Sequence, residues 1–211
     1  VTDGVILSSS PSMVPDPLQR YDVCPMATAG ITWKHVQQAP DDGRRREAIG
    51  GDLYVTAAPS VRHQRVSGRL EAELRRLLED PGHGEVLDAP IGVEFPETGE
   101  GVQPDLLFVS RDRRGIIAED WIRGAPDLVL EILSPATAER DRGLKRELYE
   151  RQGVSEYWIV DPEEDAVEVW RLTGGDERRA HHERFTDRLP VRVGDEYIGE
   201  IDLARIFARG T

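Results

Sequence analysis

The chain has 211 residues, enough for one domain with a full-sized core and short peripheral additions. Its 27 Lys and Arg against 40 Asp and Glu leave a formal charge of −13, which excludes general affinity for phosphate backbones, because such binding runs on positive charge and counterion release. A single cysteine, Cys24, excludes an internal disulfide, and no apolar run is long enough to span a membrane, so a cytoplasmic setting is expected.

Residues 1–25 carry Ser8-Ser-Ser-Pro-Ser-Met-Val-Pro-Asp-Pro17, too rich in Pro and Ser for a regular element, and read as a tail or strap ahead of one domain over 26–211. The first residue is Val1, as expected of a trimmed end. Thr28 to Gln38 reads as a short helix capped by Thr28, with Ile31, Trp33 and Val36 as its contacts. Arg46 to Ala57 reads as two strands joined through Gly50-Gly51-Asp52, a strong hairpin signal. Ser60 to Asp80 is the clearest helix, its stripe built from Val66, Leu70, Leu74, Leu77 and Leu78. His63 stands seven residues before Leu70 and so points along that same face. Pro81-Gly82-His83-Gly84 ends the helix, Glu85 to Phe95 reads as one strand, Gly99 to Gly101 as a turn, and Gly115 to Gly124 as a loop with an apolar island.

The chemistry concentrates between Gln103 and Tyr157. Asp105 to Val109 and Asp127 to Leu133 are short apolar strands, the second unbroken enough to be covered on both faces. Alternation puts Glu131 on the face of Val129 and Leu133, inside the core. An unpaired carboxylate there costs several kcal/mol or more, so it must be neutral, hydrogen-bonded or turned to a metal or wet cleft. Ser134-Pro135 ends this strand, and Ala138 to Gln152 follows as a helix whose Asp141, Lys145, Leu148 and Gln152 fall on one narrow stripe. Lys145 therefore lies on the packed side, while Arg140, Arg142, Arg146 and Arg151 serve the wet side; negative charge from Asp105 and Glu131 explains an inward ammonium. Gly153 caps the helix, Ser155 to Val160 is a strand, and Ala166 to Leu172 alternates and pairs back on it. Residues 181–197 hold shorter strand fragments, and Asp202 caps a last helical turn to Phe207. No Cys/His metal knuckle, glycine-rich phosphate loop, serine-nucleophile motif or calcium loop is present.

Gln-Pro-Asp at 103–105, Pro-Asp-Leu-Val-Leu-Glu-Ile-Leu-Ser-Pro at 126–135, Asp141, Lys145 and Gly-Val-Ser-Glu-Tyr-Trp-Ile-Val-Asp-Pro at 153–162 together resemble the PD-(D/E)XK nuclease superfamily, and most closely its Uma-two branch of endonucleases. The resemblance covers most of residues 44–172. It departs from the superfamily pattern two residues after Glu131, where Leu133 stands in place of a lysine; in the branch that lysine is thought to have moved to the following helix, here Lys145. The implied fold is α/β, a restriction endonuclease-like α-β-β-β-α-β core with a mixed central sheet and extra peripheral strands. The implied activity is Mg²⁺- or Mn²⁺-dependent hydrolysis of nucleic-acid phosphodiester bonds, DNA foremost, by Asp105, Glu131 and Lys145. Asp105, Glu131 and the backbone carbonyl of Ile132 would hold the metal. Glu47, His63 and Asp141 are candidate supporting residues, each with a plain alternative: an exposed strand carboxylate, a hydrogen-bonded core histidine, and an ion pair one helical turn from Lys145. In so acidic a chain, nucleic-acid contact would need a local basic surface, drawn from Arg44 to Arg46, from Arg62, Arg65, Arg69, Arg75 and Arg76, or from Arg111, Arg113 and Arg114. Two other readings stay open, a nuclease-fold binding or regulatory module without turnover and a purely structural ion-pair network, and a homodimer is one assembly open to the chain.

Overall fold

The computed structural model describes residues 30–40, 42–172 and 180–209; the expectations for the tail, Cys24 and Thr28 lie outside them. A short helix, α1 (Trp33–Gln37), starts from Thr32 rather than Thr28. Strands β1 (Arg45–Ile49) and β2 (Asp52–Thr56) form the expected hairpin. Gly50 (φ 61°) and Gly51 (φ 87°) both adopt the positive φ that a two-residue hairpin turn demands. Helix α2 (Val61–Leu74) is capped by the Ser60 hydroxyl, which accepts from the His63 amide, and runs on through a π-helical turn, Arg75–Glu79.

The stretch expected as one strand is two, β3 (Gly84–Asp88) and β4 (Gly92–Phe95), which join different sheets. Pro90 has no N–H to give a ladder, so pairing stops before it. The expected turn at Gly99 to Gly101 instead enters strand β5 (Glu100–Val102), and the glycine has a packing reason to be there. A Cβ on Gly101 would meet the Trp33 ring at 2.3 Å, and one on Gly92 would meet it at the same distance, so the indole lies flush on bare backbone. Gly101→Ala should therefore destabilise the fold by about 1–3 kcal/mol, the usual cost of overpacking, measured as a lower urea midpoint at unchanged slope.

After β6 (Leu106–Ser110) the expected loop contains a 3₁₀ helix, Arg111–Ile116, and strand β7 (Trp121–Arg123). Strand β8 (Leu128–Ile132) leads to α3 (Ala138–Arg140), a π-helical turn Asp141–Lys145 and α4 (Arg146–Gln152), closed by Gly153 at φ 83°. Then come β9 (Glu156–Asp161), β10 (Ala166–Leu172), β11 (Ala180–Phe185), the hairpin of β12 (Arg188–Val193) and β13 (Glu196–Asp202), and α5 (Leu203–Phe207), capped by Asp202 as expected.

Two larger sheets result. One is ordered β2-β1-β5-β4-β7, the other β11-β10-β9-β8-β6-β3, with β12-β13 as a separate ribbon. In the second, β3 and β8 flank β6 antiparallel and β9 joins β8 parallel, so α2, three strands, the helical stretch 138–152 and β9 reproduce the α-β-β-β-α-β order. Strand β8 is buried throughout and serves both faces, as its apolar run demands. Leu128, Leu130 and Ile132 pack toward Val66, Leu70 and Leu74 of α2 and the C-terminal hairpin. Val129 packs on the other side with Ile49, Val93, Phe95, Leu148 and Tyr149, where the five-stranded sheet and α4 meet it. Glu131 belongs to this second face. No helix of the described residues is long and apolar enough to cross a membrane.

Candidate functional site

Strands β6 and β8 pair with Leu106 opposite Leu130, so carrying the register one residue further sets Asp105 across from Glu131. Opposed residues share a face, which brings the two carboxylates together although 26 positions separate them in the sequence. Both are almost fully buried, at 3% and 2% exposure, and both line a cavity of about 290 Å³. Around it the structure gathers residues from four further places: Arg45 from β1, His63 from α2, Arg140 from α3, and Asp141 with Lys145 from the π-helical turn.

Lys145 is 2% exposed, as the stripe requires. Its Nζ donates to Glu131 Oε1 (2.8 Å) and stands 2.7 Å from Glu47 Oε1 and 3.8 Å from Asp141 Oδ1. Glu47 is wholly buried, so the exposed-carboxylate alternative for it is excluded. Its Oε1 also accepts the Gln103 amide (3.1 Å), while Oε2 has no hydrogen-bond partner and lies 3.7 Å from Arg140. Burial opposes the Lys145 charge, but Glu131, Glu47 and Asp141 outweigh it and hold the ammonium firmly protonated. One ammonium among three buried carboxylates leaves negative charge over. Burial pushes Glu131 up to about 8 despite Lys145, with Asp141, Asp105 and Glu47 adding to the rise. Asp141 is also raised, by burial first.

Asp105 behaves oppositely. Burial would raise its pKa, but the His63 hydrogen bond, the Arg45 charge and the Ile132 amide hold it well below the usual carboxylate range. Oδ1 accepts from Arg45 (2.7 Å); Oδ2 accepts the Ile132 N–H (2.8 Å) and meets His63 Nε2 at 3.1 Å. His63 thus sits beside a site carboxylate, while its Nδ1 is buried without a partner.

These opposite shifts have opposite consequences for stability. The folded-state proton on Glu131 contributes stability that is full below its ordinary value of 4.5 and is lost as pH rises through about 8. The depressed Asp105 contributes above its ordinary range and loses that contribution as pH falls. Metal-free protein should therefore melt at a lower temperature near pH ~9 than near pH ~7, and Glu131→Gln, which has no proton to release, should flatten that decline. An equally steep decline in the variant would remove Glu131 as its source.

Several participants were not marked as site residues by sequence reasoning. Arg45, expected on a basic surface, turns inward to Asp105, and Arg140, expected on the wet side, lines the cavity with its guanidinium over the Tyr54 ring and 2.9 Å from Thr56 Oγ1. Tyr149 donates to Glu131 Oε1 at 2.7 Å; its place one turn after Lys145 was the available signal. The π-helical turn is an irregularity that 100° periodicity cannot register, and Gly143 inside the helix was its only hint. Leu133, at the superfamily's lysine position, is absent from this cavity's lining; its N–H goes on pairing with β9 at the Val160 carbonyl, and its side chain belongs to the core cluster of Val129, Leu148 and Tyr149.

The expected basic patches on α2 and after β6 are mostly spoken for. Arg62 bonds Asp165, Arg69 the carbonyls of Ile206 and Ala208, Arg75 Glu71 and Glu79, Arg76 Glu73, and Arg113 Asp127. Arg65 and Arg111 are exposed.

The donor set suits a hard divalent cation. Among the described residues no three His, Cys, Asp or Glu side chains converge to form a ready cage. Mg²⁺, however, commonly binds through one or two carboxylates with water and substrate phosphate completing its shell. Oxygen capacity is available for that mode. Glu131 Oε1 takes both Lys145 and Tyr149, which leaves Oε2 without a hydrogen bond, and Asp105 Oδ1 accepts only Arg45 of the two bonds an oxygen can take.

The model of a family named Uma2, described as "Putative restriction endonuclease", matches residues 33–194. An uncharacterized protein of Synechocystis sp. is 24% identical over 163 residues, spanning 77% of this chain and 82% of that protein. A crystal structure titled as a putative nuclease belonging to DUF820, from Anabaena variabilis, superposes with a TM-score of 0.66 at 18% identity, covering 84% of this chain and 97% of that one. That likeness carries the fold, and the family match spans every residue of the cavity described above. The chain belongs to the Uma2 family, whose description is "Putative restriction endonuclease".

Proposed function

We propose that this protein is a metal-dependent endonuclease that hydrolyses phosphodiester bonds in nucleic acid, DNA foremost, at the cavity between Asp105 and Glu131. The observation that supports it best is the pairing of these two carboxylates across β6 and β8, each with an oxygen still able to bind, under an ammonium from another element. Asp105 and Glu131 would hold one Mg²⁺ or Mn²⁺, with the Ile132 carbonyl as a third oxygen. Bound there, the ion supplies Lewis acidity toward the phosphate and a water acidified enough to attack it. Lys145 has three hydrogens, one given to Glu131, while its charge is paired with Glu47 at 2.7 Å; a remaining hydrogen serves the attacking water or a phosphate oxygen. Glu47 and Asp141 hold that ammonium in place. Tyr149 fixes the Glu131 carboxylate by sharing its Oε1 with Lys145. Arg140 has donors to spare beyond its Thr56 bond and brings positive charge to the cavity wall for phosphate, a local answer to the −13 of the whole chain.

Nicking of supercoiled plasmid by purified protein is the test. Cleavage should require Mg²⁺ or Mn²⁺, stop with chelator and be lost in Asp105→Asn. A second reading, a binding module without turnover, is favoured by the pairing of most surface arginines on α2 with neighbouring carboxylates and carbonyls. Metal binding with no nicking of plasmid or single strand would select it.

A further inference from the structure

A second cavity, about 260 Å³, adjoins the first across a shared wall of Ser60, His63, Ser134 and Pro135. We propose that it is a binding site for the nucleobase next to the cleaved phosphate, and that the substrate strand is therefore unpaired there. The inference rests on the nuclease reading and specifies the form of its substrate.

The lining decides the class of ligand. Leu133, Pro135, Ala138 and Pro162 give it an apolar surface, and Leu133 is the residue standing where the superfamily's lysine would be. The cavity also has two arginines, but neither has charge to offer a phosphate. Arg142 is bound to Asp161 (2.8 Å) and Glu168 (3.1 Å), and Arg62 to Asp165 (2.9 Å) and the Pro162 carbonyl. Asp161, Glu163 and Glu164 line the same space and repel anions. An uncharged planar ring with N–H edges suits such a place: it stacks on apolar faces and guanidinium planes, and it gives hydrogen bonds to carboxylates. Such a ring beside a phosphate site is a base. Inside a duplex it is stacked between neighbours, and it reaches a side pocket only from a single strand or after extrusion.

The test uses fluorescence anisotropy of the full chain with a short single-stranded oligonucleotide, intact or carrying one abasic site walked along it, alongside Mn²⁺-dependent cutting of the same strands. At one position next to the cut, removal of the base should weaken binding about tenfold, the scale of one stacked base. Ala138→Phe, which fills the cavity, should weaken binding of the intact strand similarly and add nothing on the abasic strand. The abasic comparison on wild type needs no variant, so a folding failure of Ala138→Phe leaves the test intact. Equal binding of all strands by wild type, or abasic and Ala138→Phe losses that simply add, would overturn the base site; continued cutting in those cases leaves the nuclease reading standing. Absence of binding and cutting of single strands, with duplex plasmid still nicked, overturns the base site alone, and absence of both overturns the two together.

Discussion

Lys145→Met is expected to cut cleavage about a hundredfold or more, the scale of losing one electrostatic catalytic group, and to destabilise the fold as well. The methionine replaces most of the stem, so packing against the helix is largely kept. What goes is the one ammonium that answers three buried carboxylates: Glu47 at 2.7 Å, Glu131 at 2.8 Å and Asp141 at 3.8 Å. Removing one member of a buried charged set leaves the others uncompensated, at a cost of about 3–5 kcal/mol. Glu131 and Asp141 already hold raised pKa values through burial, so in the variant they would take up protons more readily. The stability deficit should therefore shrink as pH falls, whereas the activity deficit should not. Urea denaturation at two pH values, with single-turnover cleavage on the folded fraction, separates the two effects. Wild-type cleavage by folded Lys145→Met would remove the lysine from the chemistry.

Glu131→Ala is expected to abolish Mn²⁺ binding in a calorimetric titration and cleavage along with it. Of the two paired strand carboxylates, Glu131 offers the oxygen, Oε2, that no hydrogen bond engages, since Lys145 and Tyr149 both occupy Oε1. Asp105 alone has Arg45, His63 and the Ile132 amide as competitors for its lone pairs, so it cannot hold a hydrated cation tightly without its opposite number. The variant should still fold. Lys145 keeps Glu47 and Asp141 as partners, and a buried acid whose burial was costly has been taken away. Equal Mn²⁺ affinity in wild type and variant would place any metal elsewhere.

Much of this arrangement was legible in the sequence because burial leaves a pattern where elements are regular. The unbroken run of β8 put Glu131 in the core, the phase of α2 put His63 on the buried face, and the stripe through Leu148 turned Lys145 inward. The five-stranded sheet was less legible. Its strands are three to five residues long, and Gly92 and Gly101 break their alternation for reasons that involve Trp33, a residue remote in the chain. Arg45 was unreadable in another way: Arg44-Arg45-Arg46-Glu47 has no apolar alternation, so nothing local says which side chain faces in. The roles of Arg140 and of the Ile132 amide depend on where the helical segment shifts phase and where β8 stops, and both are set by tertiary packing.

If Asp105 and Glu131 jointly hold one divalent ion, a crystal soaked in Mn²⁺ will reveal it through the anomalous signal of the metal. The expected result is a single strong peak coordinated by Asp105 and Glu131 within the cavity beneath Lys145, and its loss in Glu131→Ala. A fully soaked crystal with no peak there, or with metal only at surface carboxylates, would contradict it.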